Sequence, residues 1–258
     1  MRNIKALLAV SAIALAAGAV TVSSLSAATA PKPKAQDWSF QGLFGTFDRA
    51  SLQRGFQVYK EVCSGCHGLK HVAYRNLAAL GYTEAQVKAF AAEVEVTDGP
   101  NDNGEMFTRK ARPSDRFKSP FPNEQAARAA NNGAYPPDLS VITKARPKGT
   151  DYLYALLTTY KEEPPQGMKM PEGMFYNEAF AGQQIAMVPP LAADAVQYQD
   201  GTKATVPQMA KDVTTFLAWA AEPELEERKA MGRAVIIFLI VLTAFMYALK
   251  RKVWSDLH

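Results

Sequence analysis

Apolar residues recur along this chain with a helical period in several places and with the alternation of a strand almost nowhere. Leu52, Phe56 and Tyr59 stand at i, i+4 and i+7, which predicts a helix over about 51–62. A second helix is expected from Thr83, since Thr83-Glu84-Ala85-Gln86 has the residues of a capping box. It has to stop before Asp98-Gly99-Pro100. Residues 124–130 read as a short helix halted by Asn131-Asn132-Gly133. Residues 151–160 form another, and 206–221 a last soluble one, with Met209, Val213, Phe216 and Leu217 along one face. Between these, 97–123 and 163–190 are rich in Pro and Gly and are expected to be long irregular loops. The pattern predicts a mainly α protein.

Two longer apolar runs break the amphipathic rhythm. The first, from Ala6 to about Val22, follows Arg2 and Lys5 and leads to Ala28-Thr29-Ala30, the pattern of a cleaved signal peptide over 1–30. The second has no charge from Ala234 to Leu249 and is followed by Lys250-Arg251-Lys252. Begun at Ala230, with Arg233 able to snorkel, it reaches the roughly 30 Å of a bilayer's hydrocarbon core. Residues 230–249 are therefore expected to form one transmembrane anchor and 250–258 a cytoplasmic tail. That leaves 31–229 as an exported, periplasmic domain of a single-pass inner-membrane protein.

The net charge of +4 belongs to the two ends of the chain. Residues 31–229 carry 23 basic and 24 acidic residues, so neither charge nor location suits a nucleic-acid binder. The acids do cluster, at Glu93, Glu95, Asp98, Asp102 and Glu105 and again at Glu162-Glu163. Such runs are either solvated faces or surfaces that steer a basic partner.

The chemistry concentrates in EVCSGCHGLKH, residues 61–71, which holds both cysteines of the chain and two of its three histidines. A zinc site would need a further pair of ligands, and a thioredoxin-type pair would need a βαβ pattern. A disulfide across so short a loop would close almost nothing. Cys-x-x-Cys-His is the attachment site of a c-type haem. On a helix, Cys63, Cys66 and His67 share one face, so both thiols can form thioethers to the porphyrin vinyls while His67 stands beneath the iron. Gly55 and Tyr59, eight and four residues earlier, have the spacing at which class I c-type cytochromes cross their first and last helices, with Phe216 and Trp219 as expected partners. His71, one turn beyond His67 on the same helix, is expected on the wrong side to be a second ligand, and His258 falls in the tail. Met168, Met170, Met174, Met187 and Met209 remain. Pro189-Pro190 would stiffen the loop carrying Met187, which favours that residue and leaves Met170 and Met168 open.

Several segments together, RGFQVYKEVCSGCH, AEVEVTDGPNDNGEMF, ARAANNGAYPPDLS, GQQIAMVPPL, KDVTTFLAWAAEPE and YALKRKVW, resemble the cytochrome c1 family from about Trp38 to Trp254. The resemblance implies a class I c-type haem domain with long irregular loops and one C-terminal membrane helix. It implies one haem c, covalent through Cys63 and Cys66, with His67 and Met187 as the iron ligands. Arg146 would pair with a haem propionate, with Tyr152 near the same group. Pro137 would accept a hydrogen bond from the ring of His67, and Asn131 would lie in the loop over the haem edge. The implied activity is one-electron transfer from a Rieske iron–sulfur protein to a cytochrome c, beside cytochrome b in the lipid bilayer, within a dimeric quinol–cytochrome c oxidoreductase. With no further cysteine pair, the loop 163–190 is expected to be held by packing and proline alone. Three other classes compete: a haem peroxidase with an open sixth position, a free-standing membrane-tethered electron shuttle and a thiol–disulfide oxidoreductase.

Overall fold

The computed structural model describes residues 31–255; the signal peptide expected over 1–30 and His258 lie outside them. Helix α1, Arg49–Val58, begins where the Asp48 carboxylate accepts from the backbone N–H groups of Ala50 and Ser51 at 2.9 and 3.2 Å. It runs unbroken into a π-helical turn, Tyr59–Cys63. A 3-10 segment, Tyr74–Leu80, leads to α2, Glu84–Ala92, whose capping box pairs Thr83 with Gln86 as its sequence predicts. Helix α3, Glu124–Ala130, and helix α4, Gly149–Thr158, follow. Helix α5, Val206–Ala221, closes the domain, and α6, Leu225–Val253, begins three residues later.

The excursion after α2 is more ordered than its composition suggests. Strands β1, Glu95–Asp98, and β2, Phe107–Lys110, pair antiparallel with Glu95 opposite Lys110. Arg109 locks the hairpin by donating to Asp98 and, at 2.6 and 3.1 Å, to Asp115. Four residues per strand are too few for an alternating pattern to stand out. A second, two-residue pair joins β3, Phe175–Tyr176, to β4, Gln184–Ile185.

The core is organised by the contact of α1 with α5. A methyl group at Gly55 would stand 2.1 Å from the Asp212 carbonyl oxygen and 2.7 Å from Phe216 Cβ, so only glycine permits this approach. The Phe216 ring then lies 5.7 Å from those of Phe56, Tyr59 and Trp219, and all four are buried. The expected crossing is confirmed; Phe216 makes it, and Trp219 supports Phe216 from behind. Each such side chain contributes about 1.5–3 kcal/mol on burial.

A polar pin runs through the same interface. Asp212 is fully buried and accepts from Ser51 Oγ at 2.7 Å, from Arg54 Nε and Nη2 at 2.9 and 3.1 Å, and from Gln208 Nε2 at 2.9 Å. Arg54 also reaches Asp200 at 2.8 Å. Burial works against the Arg54 charge, but the hydrogen bonds to Asp212 and Asp200 outweigh it and raise its pKa.

Helix α6 is 29 residues long, about 43 Å at 1.5 Å per residue, and none of its apolar stretch is buried against the rest of the chain. By length and hydropathy it crosses a membrane.

Candidate functional site

The Cys63–His67 turn sits directly below the α1–α5 contact. The helix stops at Cys63, close to the end at 62 that the apolar period predicts, so Cys66, His67 and His71 do not continue it as expected. The π-helical turn ends at Cys63, whose carbonyl accepts from both Cys66 N–H (3.2 Å) and His67 N–H (2.9 Å). The two thiols and the imidazole are thus gathered by one tight turn and not by a helix face. His71, placed by the sequence on the same helix, lies in a separate exposed turn, its N–H donating to Ser140 Oγ at 3.0 Å. A helical offset from His67 therefore no longer describes it.

The imidazole is oriented by a segment seventy residues away. His67 Nδ1 lies 2.7 Å from the Pro137 carbonyl oxygen, as the resemblance implies. A carbonyl can only accept, so Nδ1 carries the proton and Nε2 presents its lone pair. Residues 137–140 are stitched along 67–71 by further bonds. Leu139 N–H donates to the Gly68 carbonyl at 2.9 Å, and Lys70 N–H to Asp138 Oδ2 at 3.0 Å. Tyr59 Oη adds a bond to the His67 carbonyl at 3.1 Å. Asp138 and Ser140 are contributors that the sequence reading missed. The Asp-x-Ser after two prolines is an Asx-turn signature, and Ser140 N–H does donate to Asp138 Oδ1 at 3.0 Å.

Burial sets the protonation states of this half. It lowers the His67 pKa against the pull of the Pro137 carbonyl and Asp138, favouring the neutral imidazole a metal requires. It pushes the Cys63 thiol up to about 12, with Cys66 adding to the shift. The two cysteines are not joined to each other.

The Met187 half is held by α4 and its extension. Tyr160 Oη donates to the Met187 carbonyl at 3.0 Å. Burial raises the Tyr160 pKa and nearby Tyr152 adds to it; burial also raises that of Tyr152, which the Arg146 charge opposes. Tyr160 is thus the residue that ties Met187 to the end of α4, and it was not foreseen. The expectation that packing and proline alone hold 163–190 is corrected by Asn177. This fully buried amide donates to the Leu156 carbonyl at 2.8 Å and accepts from Ala179 and Phe180 N–H at 3.0 and 3.2 Å. Among the other methionines, Met209 is fully buried core, Met168 and Met170 are half-buried and Met174 is exposed.

Asn131 sits at the C-terminal end of α3. Its side chain donates to the Ala127 carbonyl at 2.7 Å, finishing α3, from which the chain turns through Asn132 (φ 49°) and Gly133 (φ 83°) toward Pro137.

The donor set fits a haem better than a bare ion. Among the described residues no three of His, Cys, Asp and Glu converge as an ion cage. A porphyrin brings four nitrogen ligands of its own and asks the protein for two axial donors and, if tethered, for two free thiols. A neutral imidazole with a fixed tautomer and an unpaired Cys-x-x-Cys supply one axial donor and the two thiols.

A mainly helical domain with a cytochrome-type donor set, followed by one membrane-crossing helix, defines a membrane-anchored haem protein. The chain belongs to the cytochrome C1 family, whose model matches residues 38–257. It is 51% identical over 86% of its length to a cytochrome c1 of Rhodospirillum rubrum, of which the match covers 87%. It is 54% identical over 85% of its length to a mitochondrial cytochrome c1 heme protein of Solanum tuberosum, of which 84% is covered. A cytochrome b/c1 of Bradyrhizobium diazoefficiens is 50% identical over 98% of this chain, but the match spans only 41% of that longer protein.

Proposed function

We propose that this chain carries one electron at a time from a Rieske iron–sulfur protein to a cytochrome c, as the haem-bearing subunit of a quinol–cytochrome c oxidoreductase. The observation that carries the proposal is the 2.7 Å contact of His67 Nδ1 with the Pro137 carbonyl, which turns the ring's other nitrogen into a fixed metal ligand. The haem, when bound, supplies the ferric–ferrous couple. Cys63 and Cys66 would tether it, His67 and Met187 would supply its two iron ligands, and Arg146, with Tyr152 nearby, would pair with a propionate. Buried aromatics around Tyr59 and Phe216 exclude water from the tethered side.

Cytochrome b is the proposed neighbour in the bilayer. The Bradyrhizobium relative carries both names in one longer chain, and two copies of each subunit are proposed to form a dimeric complex. The domain boundaries proposed are a signal peptide over 1–30, a periplasmic haem domain over 31–229, an anchor over 230–249 and a cytoplasmic tail to 258. The tail's basic triplet sets that orientation.

The thiol–disulfide alternative fares poorly on chemistry. Reactive Cys-x-x-Cys thiols have lowered pKa values, whereas burial raises that of Cys63 to about 12. A free-standing shuttle would need reach, and only Glu222, Pro223 and Glu224 separate α5 from the membrane helix.

A ferric and a reduced-minus-oxidised spectrum of the native protein, with acid–acetone extraction of a separate sample, test the reading. Covalent low-spin haem with the long-wavelength methionine–iron band is expected. Extractable haem would refute the tethers, and a high-spin ferric form would mean an open sixth position and a peroxidase-like site.

The acidic clusters differ in pairing: Glu93 is paired with Lys60 at 2.7 Å and Asp98 with Arg109, whereas among the described residues Glu162 and Glu163 are exposed and make no ion pair. Changing Glu162 and Glu163 to glutamine is expected to flatten the salt dependence of cytochrome c reduction more than Glu93→Gln with Asp98→Asn. Stopped-flow rates across a salt series would show it. Equal slopes for the two variants would remove this assignment.

A further inference from the structure

Residues 40–49 do not simply lead into α1; they are clamped onto the first turns of the membrane helix. The Glu226 carboxylate accepts from Phe47 N–H at 2.7 Å and pairs with Arg49 at 2.6 Å. Lys229 Nζ donates to the carbonyls of Phe40 and, at 3.0 Å, of Gly45. Arg233 donates to the Leu43 carbonyl at 3.1 Å and lays its guanidinium 5.4 Å from the centre of the Phe44 ring. Three successive turns of α6 therefore each grip the loop.

The loop they grip is folded tightly. Gly42 has φ +72°, and a methyl group on Gly45 would stand 1.9 Å from the Gln41 carbonyl oxygen. Between these glycines, Leu43 and Phe44 are pushed outward and stand 55% and 75% exposed. Two large apolar side chains on a rigid tip are expensive to leave in water.

Their height relative to the bilayer follows from Arg233. The uncharged stretch of α6 begins at the next residue, Ala234, so Arg233 marks the headgroup level where the span starts. Phe44 stacks on that guanidinium and so lies at the same level, where aromatic and leucine side chains enter the acyl boundary. Lys229 and Arg233 beside them suit phosphate headgroups.

We infer that the Leu43–Phe44 tip is a second membrane contact, inserting into the lipid interface on the haem-domain side and fixing how that domain leans on the bilayer. The inference rests on α6 spanning the membrane and is independent of how the haem is ligated. The occupant is phospholipid and not a neighbouring polypeptide, because the tip is continuous with the exposed surface of the span through Arg233.

The test is photocrosslinking of the full chain in native membranes, with benzoylphenylalanine replacing Leu43 or Phe44. Ile236 in the span and Met106 at the hairpin tip serve as comparisons. Phospholipid adducts at 43 and 44 are expected to approach the yield at 236. They should exceed that at 106 by on the order of tenfold, as an interfacial side chain differs from a solvated one. Adducts of 43 and 44 to another polypeptide, or yields no higher than at 106, would overturn the inference. Absence of lipid adducts at 236 as well would overturn the span with it.

Discussion

Replacing Met187 with leucine is expected to leave the haem attached and to lower its midpoint potential by on the order of 0.1 V or more. Axial ligation moves haem potentials over a range of about 0.8 V. A thioether favours the ferrous iron, and leucine has no donor to replace it. Because the tethers and His67 are untouched, the variant should retain its haem through acid–acetone extraction while quinol-linked reduction of cytochrome c stops. Redox titration measures the first effect and membrane turnover the second. An unchanged potential would transfer the ligand role to another methionine, with the half-buried Met168 and Met170 next to be changed. Tyr160→Phe is the companion variant. It removes the bond to the Met187 carbonyl, worth about 1 kcal/mol, but keeps the sulfur. Its potential should move little, while added imidazole should displace the methionine about fivefold more readily, the ratio that 1 kcal/mol represents.

Asp212→Ala should cost about 3–5 kcal/mol, the usual penalty for stranding one partner of a buried ion pair. A domain of this kind has only about 5–15 kcal/mol to lose. The substitution leaves Arg54 half-sheltered with Asp200 alone and strips Ser51 and Gln208 of their shared acceptor. Denaturant unfolding of the detergent-solubilised protein should show a lower midpoint with an unchanged slope. Asp212→Asn, which keeps the size and one carbonyl acceptor, should fall between the two. A loss below about 1 kcal/mol would mean that apolar packing around Phe216 carries the interface without the pin.

The helices were legible because their signals are local. Thr83 with Gln86, the stop after Ala130 and the stripe from Met209 to Leu217 each need only a few neighbouring residues to be read. Gly55 could also be placed, since its spacing from Cys63 reflects a crossing that needs a residue without a side chain. What could not be read depends on partners far along the chain. Nothing near Asp212 announces that Ser51, Arg54 and Gln208 converge on it, and nothing near Asn177 shows that it turns back to the Leu156 carbonyl. Within the candidate site, the Cys-x-x-Cys-His spacing pointed to the proposed tethers and one proposed ligand. The Met187 assignment and the Pro137 carbonyl came from resemblance, and Tyr160 came only from the structure. A misleading local inference was the helix drawn through His67 to His71. Helical spacing alone does not show where a helix stops, and here it stops at Cys63.

The clash that forbids a side chain at Gly55 also constrains the order of assembly. The wall it meets, Asp212 and Phe216, belongs to the last helix made before the membrane segment, so the first helix has no permanent cover until nearly all of the domain exists. Such non-local closure is slow compared with helix formation, and uncovered aromatics such as Phe56 and Tyr59 invite wrong partners while they wait. Since α6 follows α5 after three residues, the helix that seals the core reaches it as its own end is being fixed in the bilayer. Closure of the domain's core and placement of the membrane helix are thereby tied together in time, with α5 as the part common to both.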